Sequence, residues 1–172
     1  MKFKRAFSLV AVMVALQATP ALASEQVPFD ATFHGTFHIT FGGCPNGDNL
    51  LQFAGPGIVR HAGLSSIVGS SCLRPEPANP LCSNIVSDAV TVTAANGDTF
   101  DFNNQAEDCL SFTPEGIFIH GAGTYQILPG TGRFDQASGS GSVHTTAHVL
   151  ELTGTGASGT FDPLVFSGTI SD

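Results

Sequence analysis

Apolar and polar residues alternate along most of the chain after residue 24, which is the pattern of extended strands. In residues 32–41, the apolar side chains fall on one face: Phe33, Phe37, Ile39 and Phe41. The opposite face carries only threonines and histidines. A period of two residues predicts a β-strand with one side in a core and the other in solvent.

Seven further segments show the same character: 52–62, 64–72, 85–94, 99–103, 116–128, 142–153 and 158–171. Between two of them, Asn96-Gly97 predicts a type I′ hairpin turn, because both residue types tolerate positive φ angles. No helix longer than two turns is expected, since glycine and threonine are frequent and disfavour helices. Eight short strands separated by turns predict a single all-β domain, a sandwich or a barrel.

The N-terminal residues have the parts of a secretory signal peptide. Three basic residues open the chain, an apolar run covers 6–16, and small residues surround position 22. We expect residues 1–23 to be removed by cleavage after Ala23, leaving 24–172 as one domain that is secreted or periplasmic. The apolar run is shorter than the roughly 20 residues needed to cross a bilayer, so no membrane insertion of the mature chain is expected.

The charge of the predicted mature chain limits its partners. After position 23 there are three arginines, no lysine and 14 acidic residues, which gives a net charge of −11. A chain this acidic cannot neutralise many phosphates. The composition therefore excludes general nucleic-acid binding and electrostatic attraction to anionic lipid surfaces.

Four cysteines follow the leader, and an even number in an exported domain predicts two disulfides. Three pairings exist. Cys72 and Cys82 bracket the proline-rich segment 74–84, which we interpret as an inserted loop, and this favours Cys72–Cys82 together with Cys44–Cys109. No CxxC spacing occurs, so neither a zinc site nor another cofactor is expected.

Several segments resemble a known family of barrels. They are GPGIVRHAG at 55–63, VTVTAANGD at 90–98, GAGTYQILPGTGRFDQASGSG at 121–141 and FSGT at 166–169. Together they are similar to allene oxide cyclase and dirigent proteins, and still more to small exported bacterial proteins of that barrel type. The two disulfides and the 74–84 insertion depart from that pattern.

The resemblance implies an eight-stranded antiparallel up-and-down β-barrel, calycin-like in shape, with an internal cavity. In the plant relatives, the cavity holds an apolar substrate or radical and steers its cyclisation or coupling. No catalytic residue transfers, because the matching segments are turn motifs.

The segment GTGRF at 130–134 is interpreted as a turn that closes one end of the barrel. Gly130 and Gly132 let the chain reverse, and Phe134 would plug the end. Arg133 would pair with a nearby acid such as Asp135. No glycine-rich phosphate-binding motif is present.

The six histidines do not predict a metal site. His34 and His38 share one strand face, as do His144 and His148, but residues four apart on a strand stand roughly 13 Å from each other. A shared ion would require those two strands to be neighbours. In a simple meander the first strand lies beside the eighth, whereas the second pair lies on the seventh.

Four residues are candidates for contacts to a ligand. Arg60 and His61 alternate on the predicted second strand, so one of them should face the interior. His120 and Tyr125 lie five residues apart on another strand and therefore on opposite faces, so at most one lines a cavity.

Three hypotheses for the function follow. The first is a barrel that binds a small, mainly apolar molecule in its interior. The second is a cofactor-independent isomerase or cyclase, although no GxSxG or HExxH motif is present and enzymatic activity is left open. The third is an extracellular interaction or inhibitor protein that presents Arg74–Asn84 to a protein partner.

Overall fold

The computed structural model describes residues 25–171, which form a closed antiparallel barrel of eight strands in chain order, with β8 hydrogen-bonded to β1. The strands are β1 (Val27–Thr40), β2 (Asn49–Val59), β3 (Gly63–Glu76), β4 (Asn79–Ala94), β5 (Thr99–Thr113), β6 (Gly116–Leu128), β7 (Ser138–Leu152) and β8 (Gly156–Ser171). The predicted up-and-down barrel is thus confirmed. The predicted signal peptide lies outside the described residues.

Helix is almost absent from this part of the chain. One 3₁₀ turn, Gly132–Phe134, lies between β6 and β7. Within residues 25–171 no helix has the length and hydropathy to cross a membrane.

The alternation read from the sequence corresponds to the two faces of the barrel wall. In β1, the side chains of Phe33, Phe37 and Ile39 are buried inside, as predicted, whereas Phe41 lies just beyond the strand and is exposed. The strand begins earlier than predicted, because Phe29 and Ala31 continue the inward row and pair with β8. Apolar burial along one face therefore determines the length of the strand.

The proline-rich segment 74–84 is not an inserted loop, so that prediction was wrong. β3 and β4 run through it as a hairpin whose turn is Pro77-Ala78. The ladder shifts register between Pro75 and Glu76, and such a shift accommodates a residue that cannot donate a hydrogen bond. The segment is paired backbone and not the free presenting loop that the interaction hypothesis requires.

Two disulfides are present, as predicted, but their partners are Cys44–Cys72 and Cys82–Cys109. The favoured pairing was wrong because the register of the β3–β4 ladder places Cys72 opposite Ser87, which is five residues from Cys82. At 3.3 Å per residue this is roughly 16 Å, too far for a disulfide. Both bonds indicate an oxidising compartment, extracellular or periplasmic.

The barrel has two different ends. The turns 60–62, 95–98 and 129–137 form what we call the closed end, and the turns 41–48, 77–78, 114–115 and 153–155 form the open end. Both disulfides lie toward the open end.

Aromatic side chains fill the closed half of the barrel: Phe29, Phe33, Phe100, Phe102, Tyr125 and Phe166. Phe102 and Phe166 stack with ring centroids 4.3 Å apart, and most of the other pairs meet edge to face. Close packing of these large rings leaves this half of the interior solid.

The predicted plug at the closed end is confirmed. Phe134 is buried, and its ring centroid is 4.8 Å from that of Phe100. Gly132 has a φ of 60°, which a glycine adopts without strain. Arg133 is beside a nearby acid, as predicted, but this acid is Asp98 in the neighbouring turn, whose Oδ2 lies 3.9 Å from Arg133 Nε, and not the example Asp135.

The hairpin between β4 and β5 is where the sequence predicted it, but its turn is of another type. Only Gly97 has a positive φ, 91°, whereas a type I′ turn needs two such residues. The Gly97 amide donates to the carbonyl of Ala94, and the Ala94 amide to the carbonyl of Asp98. This is the three-residue loop in which a left-handed glycine follows a turn.

Candidate ligand cavity

The open half of the barrel contains a cavity of about 340 Å³. It exists because the inward residues change in size along the strands. On β5 the inward row passes from Phe100 and Phe102 at the closed end to Asn104, Ala106 and Asp108. Small inward residues on the facing strands, such as alanine and glycine, leave the same space unfilled.

The cavity is mainly apolar and reaches the open end. Its lining includes valine, isoleucine, leucine and phenylalanine side chains from all parts of the wall. Four large apolar side chains that line it are also 42% to 61% exposed: Phe41, Leu81, Phe112 and Leu152. They belong to four different strands or turns, so the mouth has an apolar rim. Exposed apolar surface that continues into a cavity is typical of a ligand entrance.

Asp108 is the one charged residue in the wall of this cavity. Among the described residues, its carboxylate accepts no hydrogen bond and pairs with no cation. Gly121 on β6 leaves room for it, because a β-carbon there would collide with Asp108 Oδ1. Burial and the neighbouring charge of Asp88 raise the pKa of Asp108 to about 6.

A bulge in β4 turns Asp88 into the barrel wall, where its carboxylate contacts Ser71 and Asn104. The ladder to β3 shifts around Val86, so the inward residues change from Ser83 and Ile85 before the bulge to Asp88 and Val90 after it. Burial raises the pKa of Asp88 above its ordinary value, and hydrogen bonds to its carboxylate oppose that rise.

Asp88 connects three strands where the ladder between β4 and β5 is interrupted. The Ser71 hydroxyl on β3 donates to its Oδ1, and the backbone amide of Asn104 on β5 donates to its Oδ2 at 2.9 Å. Asn104 Nδ2 donates to the same Oδ2 at 2.7 Å. The missing pairs between Asn84 and Val90 are thus replaced by side-chain hydrogen bonds.

Asn104 lines the cavity and also contains a fully buried acceptor. The residue is 8% exposed, and its Oδ1 has no hydrogen-bond partner among the described residues. Its Nδ2 is already committed to Asp88, which as a carboxylate can only accept. Asn104 therefore fixes Asp88, whereas Asp108 is the charged group of the cavity wall.

Outside the barrel, a polar crevice of about 490 Å³ follows the interruption between β4 and β5. It is lined mainly by 84–88 and 103–107. Three residues line both the crevice and the cavity: Ile85, Asn104 and Ala106. The barrel wall is thin at this point.

The structure places Arg60 and His61 away from the cavity, so the expectation that one of them faces the interior was wrong. β2 ends at Val59, and both residues lie in the exposed turn at the closed end. Arg60 pairs with Asp30 at 3.2 Å. His61 has a φ of 70°, and its Nε2 lies 3.0 Å from the carbonyl of Pro28. Arg60 and His61 belong to a turn, where the inward and outward alternation of a strand does not apply.

His120 and Tyr125 lie on opposite faces of β6, as predicted. His120 is exposed, with its Nε2 3.1 Å from the Ser111 hydroxyl. Tyr125 points inward but belongs to the aromatic packing of the closed half, not to the cavity lining. Burial raises the pKa of Tyr125 to about 12, and its hydroxyl has no hydrogen-bond partner among residues 25–171.

The histidine pairs of β1 and β7 do not meet, because β1 lies beside β8, as expected for a meander. His34 Nδ1 instead lies 2.6 Å from Asp162 Oδ1 on β8.

One group with metal-ligand spacing occurs in the described part of the chain, Cys82, Glu107 and Cys109. Its two sulfurs form a disulfide, so they offer no thiolate to a metal.

Asn104 and Asp108 were missed because the predicted fifth strand ended at residue 103, and Asp88 was missed because the bulge in β4 decides which way it faces. The signal was present: an alternating inward row continues from Phe100 through Asp108. Polar residues in that row resembled a strand end, whereas they line the wall of a cavity.

The chain was compared with models of known protein families and with curated proteins, and neither comparison found a match. The resemblance of its turn motifs to allene oxide cyclase and dirigent proteins stays a prediction.

Proposed function

We propose that this protein binds a small, mainly apolar molecule in the cavity of its open half. The observation that carries the proposal is the 340 Å³ cavity with an apolar wall and an exposed apolar rim. Cavities of this size accept small organic ligands. An eight-stranded barrel is just wide enough to hold one.

The free energy of binding would come mainly from apolar burial. A ligand that covers the rim and the wall removes apolar surface from water. Each Å² of apolar surface that is buried in this way contributes about 25 cal/mol of favourable free energy. The closed half is already filled, so a ligand would enter from the open end and stop at the aromatic layer. The two disulfides stabilise the open half, which lacks a packed core.

The test is the binding of N-phenylnaphthylamine, a neutral probe whose fluorescence rises in apolar surroundings. Ala147 lines the cavity, so Ala147→Phe fills part of it and should weaken probe binding at least about tenfold. Ser140→Phe places the same ring on the exposed face of the same strand and should leave binding unchanged. Equal binding by both variants and the unmodified protein would refute the proposal.

Native mass spectrometry of protein taken from its natural compartment complements this test. A retained small molecule would appear as added mass, and its identity would give the ligand. Ala106→Phe fills the cavity from β5 and should remove that added mass independently of Ala147→Phe.

A second candidate function, a cofactor-independent isomerase or cyclase, is favoured by Asp108. A carboxyl group with a pKa of about 6 in an apolar cavity can release and take up a proton near neutral pH. Incubation of the recovered ligand with the protein would then give an isomer of equal mass and different chromatographic retention. Asp108→Asn should abolish that conversion while the cavity still binds the probe, and an unchanged ligand would reject catalysis.

A further inference from the structure

We propose that the ligand of the cavity is an apolar amine, whose protonated nitrogen pairs with the Asp108 carboxylate while its apolar body fills the cavity. This inference rests on the proposed function and names its ligand class.

The charge of Asp108 is not compensated within the described chain. All three arginines of residues 25–171 are beside other acids: Arg60 beside Asp30, Arg74 beside Asp48 and Arg133 beside Asp98. The same range contains no lysine. No histidine lines the cavity. This part of the chain therefore supplies no positive charge to Asp108.

Ligand entry favours a ligand that brings a positive charge. In the open cavity water can hydrate the carboxylate, but a ligand that fills the cavity displaces this water. A wholly apolar ligand would leave the charge of Asp108 desolvated and without a hydrogen bond, which is costly. An ammonium group replaces the lost hydrogen bonds and neutralises the charge.

Asn104, a second polar residue of the same inward row, lines the cavity but does not add a charge to it. Its Oδ1 is a buried acceptor without a partner among residues 25–171, and its Nδ2 is committed to Asp88. Asn104 and Asp108 lie in one inward row of β5, roughly 13 Å apart along the strand. Of the described residues that line the cavity, Asp108 alone is charged, so the wall attracts ammonium groups and repels carboxylates and phosphates.

Few other groups act on Asp108. Of the strands around it, β4 contributes Asp88, whereas β6 and β7 contribute Gly121 and Thr145, which do not titrate. Asp88 is held by three hydrogen bonds from Ser71 and Asn104. Asp108 is therefore the acid in the cavity wall that is free to pair with a ligand.

The experiment compares octylamine, octanol and octanoate as competitors of N-phenylnaphthylamine at about pH 8, where the amine is protonated. Octylamine should displace the probe at least about tenfold more effectively than octanol, and octanoate should be weakest. Asp108→Asn should reduce the displacement of the probe by octylamine to that of octanol or below, whereas octanol should displace the probe at least as well as from the unmodified protein. Glu107→Gln removes a charge from the exposed face of the same strand and should leave the displacement of the probe by octylamine and by octanol unchanged.

The affinity for octylamine should also fall as the pH is lowered through about 6, where Asp108 takes up a proton. This decline should be absent in Asp108→Asn. Octanol that binds as well as octylamine, or an Asp108→Asn variant that weakens both equally, would overturn the inference while the proposed function stands. Failure of the probe and of all three competitors to bind would refute the proposed function itself.

Discussion

The Asp108 carboxylate on β5 lies over Gly121 on β6, in the space that a β-carbon at position 121 would fill. The two residues are close neighbours across the β5–β6 ladder, where Asp108 pairs with Gly121. The absence of a side chain at position 121 therefore allows a charged group to point into an apolar cavity.

Gly121→Ala should displace the Asp108 carboxylate and destabilise the protein by about 1–3 kcal/mol, because overpacking forces side chains from their preferred positions. Gly154→Ala is the matched control, since nothing lies within 4 Å of a β-carbon there. Urea denaturation of both variants measures the effect. Equal free energies of unfolding would contradict the close approach.

Asp108→Asn should stabilise the ligand-free protein at about pH 8 by about 1–3 kcal/mol and have little effect at about pH 4. The pKa of Asp108 is raised to about 6 in the folded protein, so the folded state binds the proton more tightly than the unfolded state. The ionised carboxylate therefore opposes folding above about pH 6, and this opposition disappears as the pH falls through the unfolded value.

Urea denaturation at both pH values measures this difference, with Glu107→Gln as the exposed control. A gain in stability from Asp108→Asn that is the same at pH 8 and pH 4 would show that ionisation is not its cause.

The two ends of the barrel should respond differently to the loss of a phenylalanine. Phe134→Ala removes a buried ring from the closed end and should destabilise the protein by about 3–5 kcal/mol without weakening probe binding. Phe112→Ala removes an exposed rim residue and should weaken probe binding with little loss of stability. Thermal unfolding and probe titration together test the pair, and reversed effects would show that the ends were assigned wrongly.

Removal of either disulfide should loosen the open end. Cys44→Ser with Cys72→Ser, or Cys82→Ser with Cys109→Ser, should lower the free energy of unfolding by about 2–4 kcal/mol. Hydrogen exchange should rise in the open half and stay slow among the aromatic residues of the closed half. Proteolytic peptides linked through Cys72 and Cys82 would contradict the pairing itself.

Much of the fold could be predicted because its signals are local. Alternation along each strand, as in Phe33 to Ile39, requires one buried face, and short turns make consecutive strands neighbours. The plug at Phe134 follows from a glycine-rich turn with one aromatic residue. None of these features depends on distant parts of the chain.

The sequence by itself determined the strand pattern, the number of disulfides and the turn that closes one end. Only the tertiary structure decided which cysteines pair, which half is hollow and that the charges of Asp88 and Asp108 lie close enough to interact. These features depend on the register between strands and on the bulge in β4, which reverses the side of the wall that each following residue faces. Register and bulge arise from packing between strands, so no local pattern specifies them.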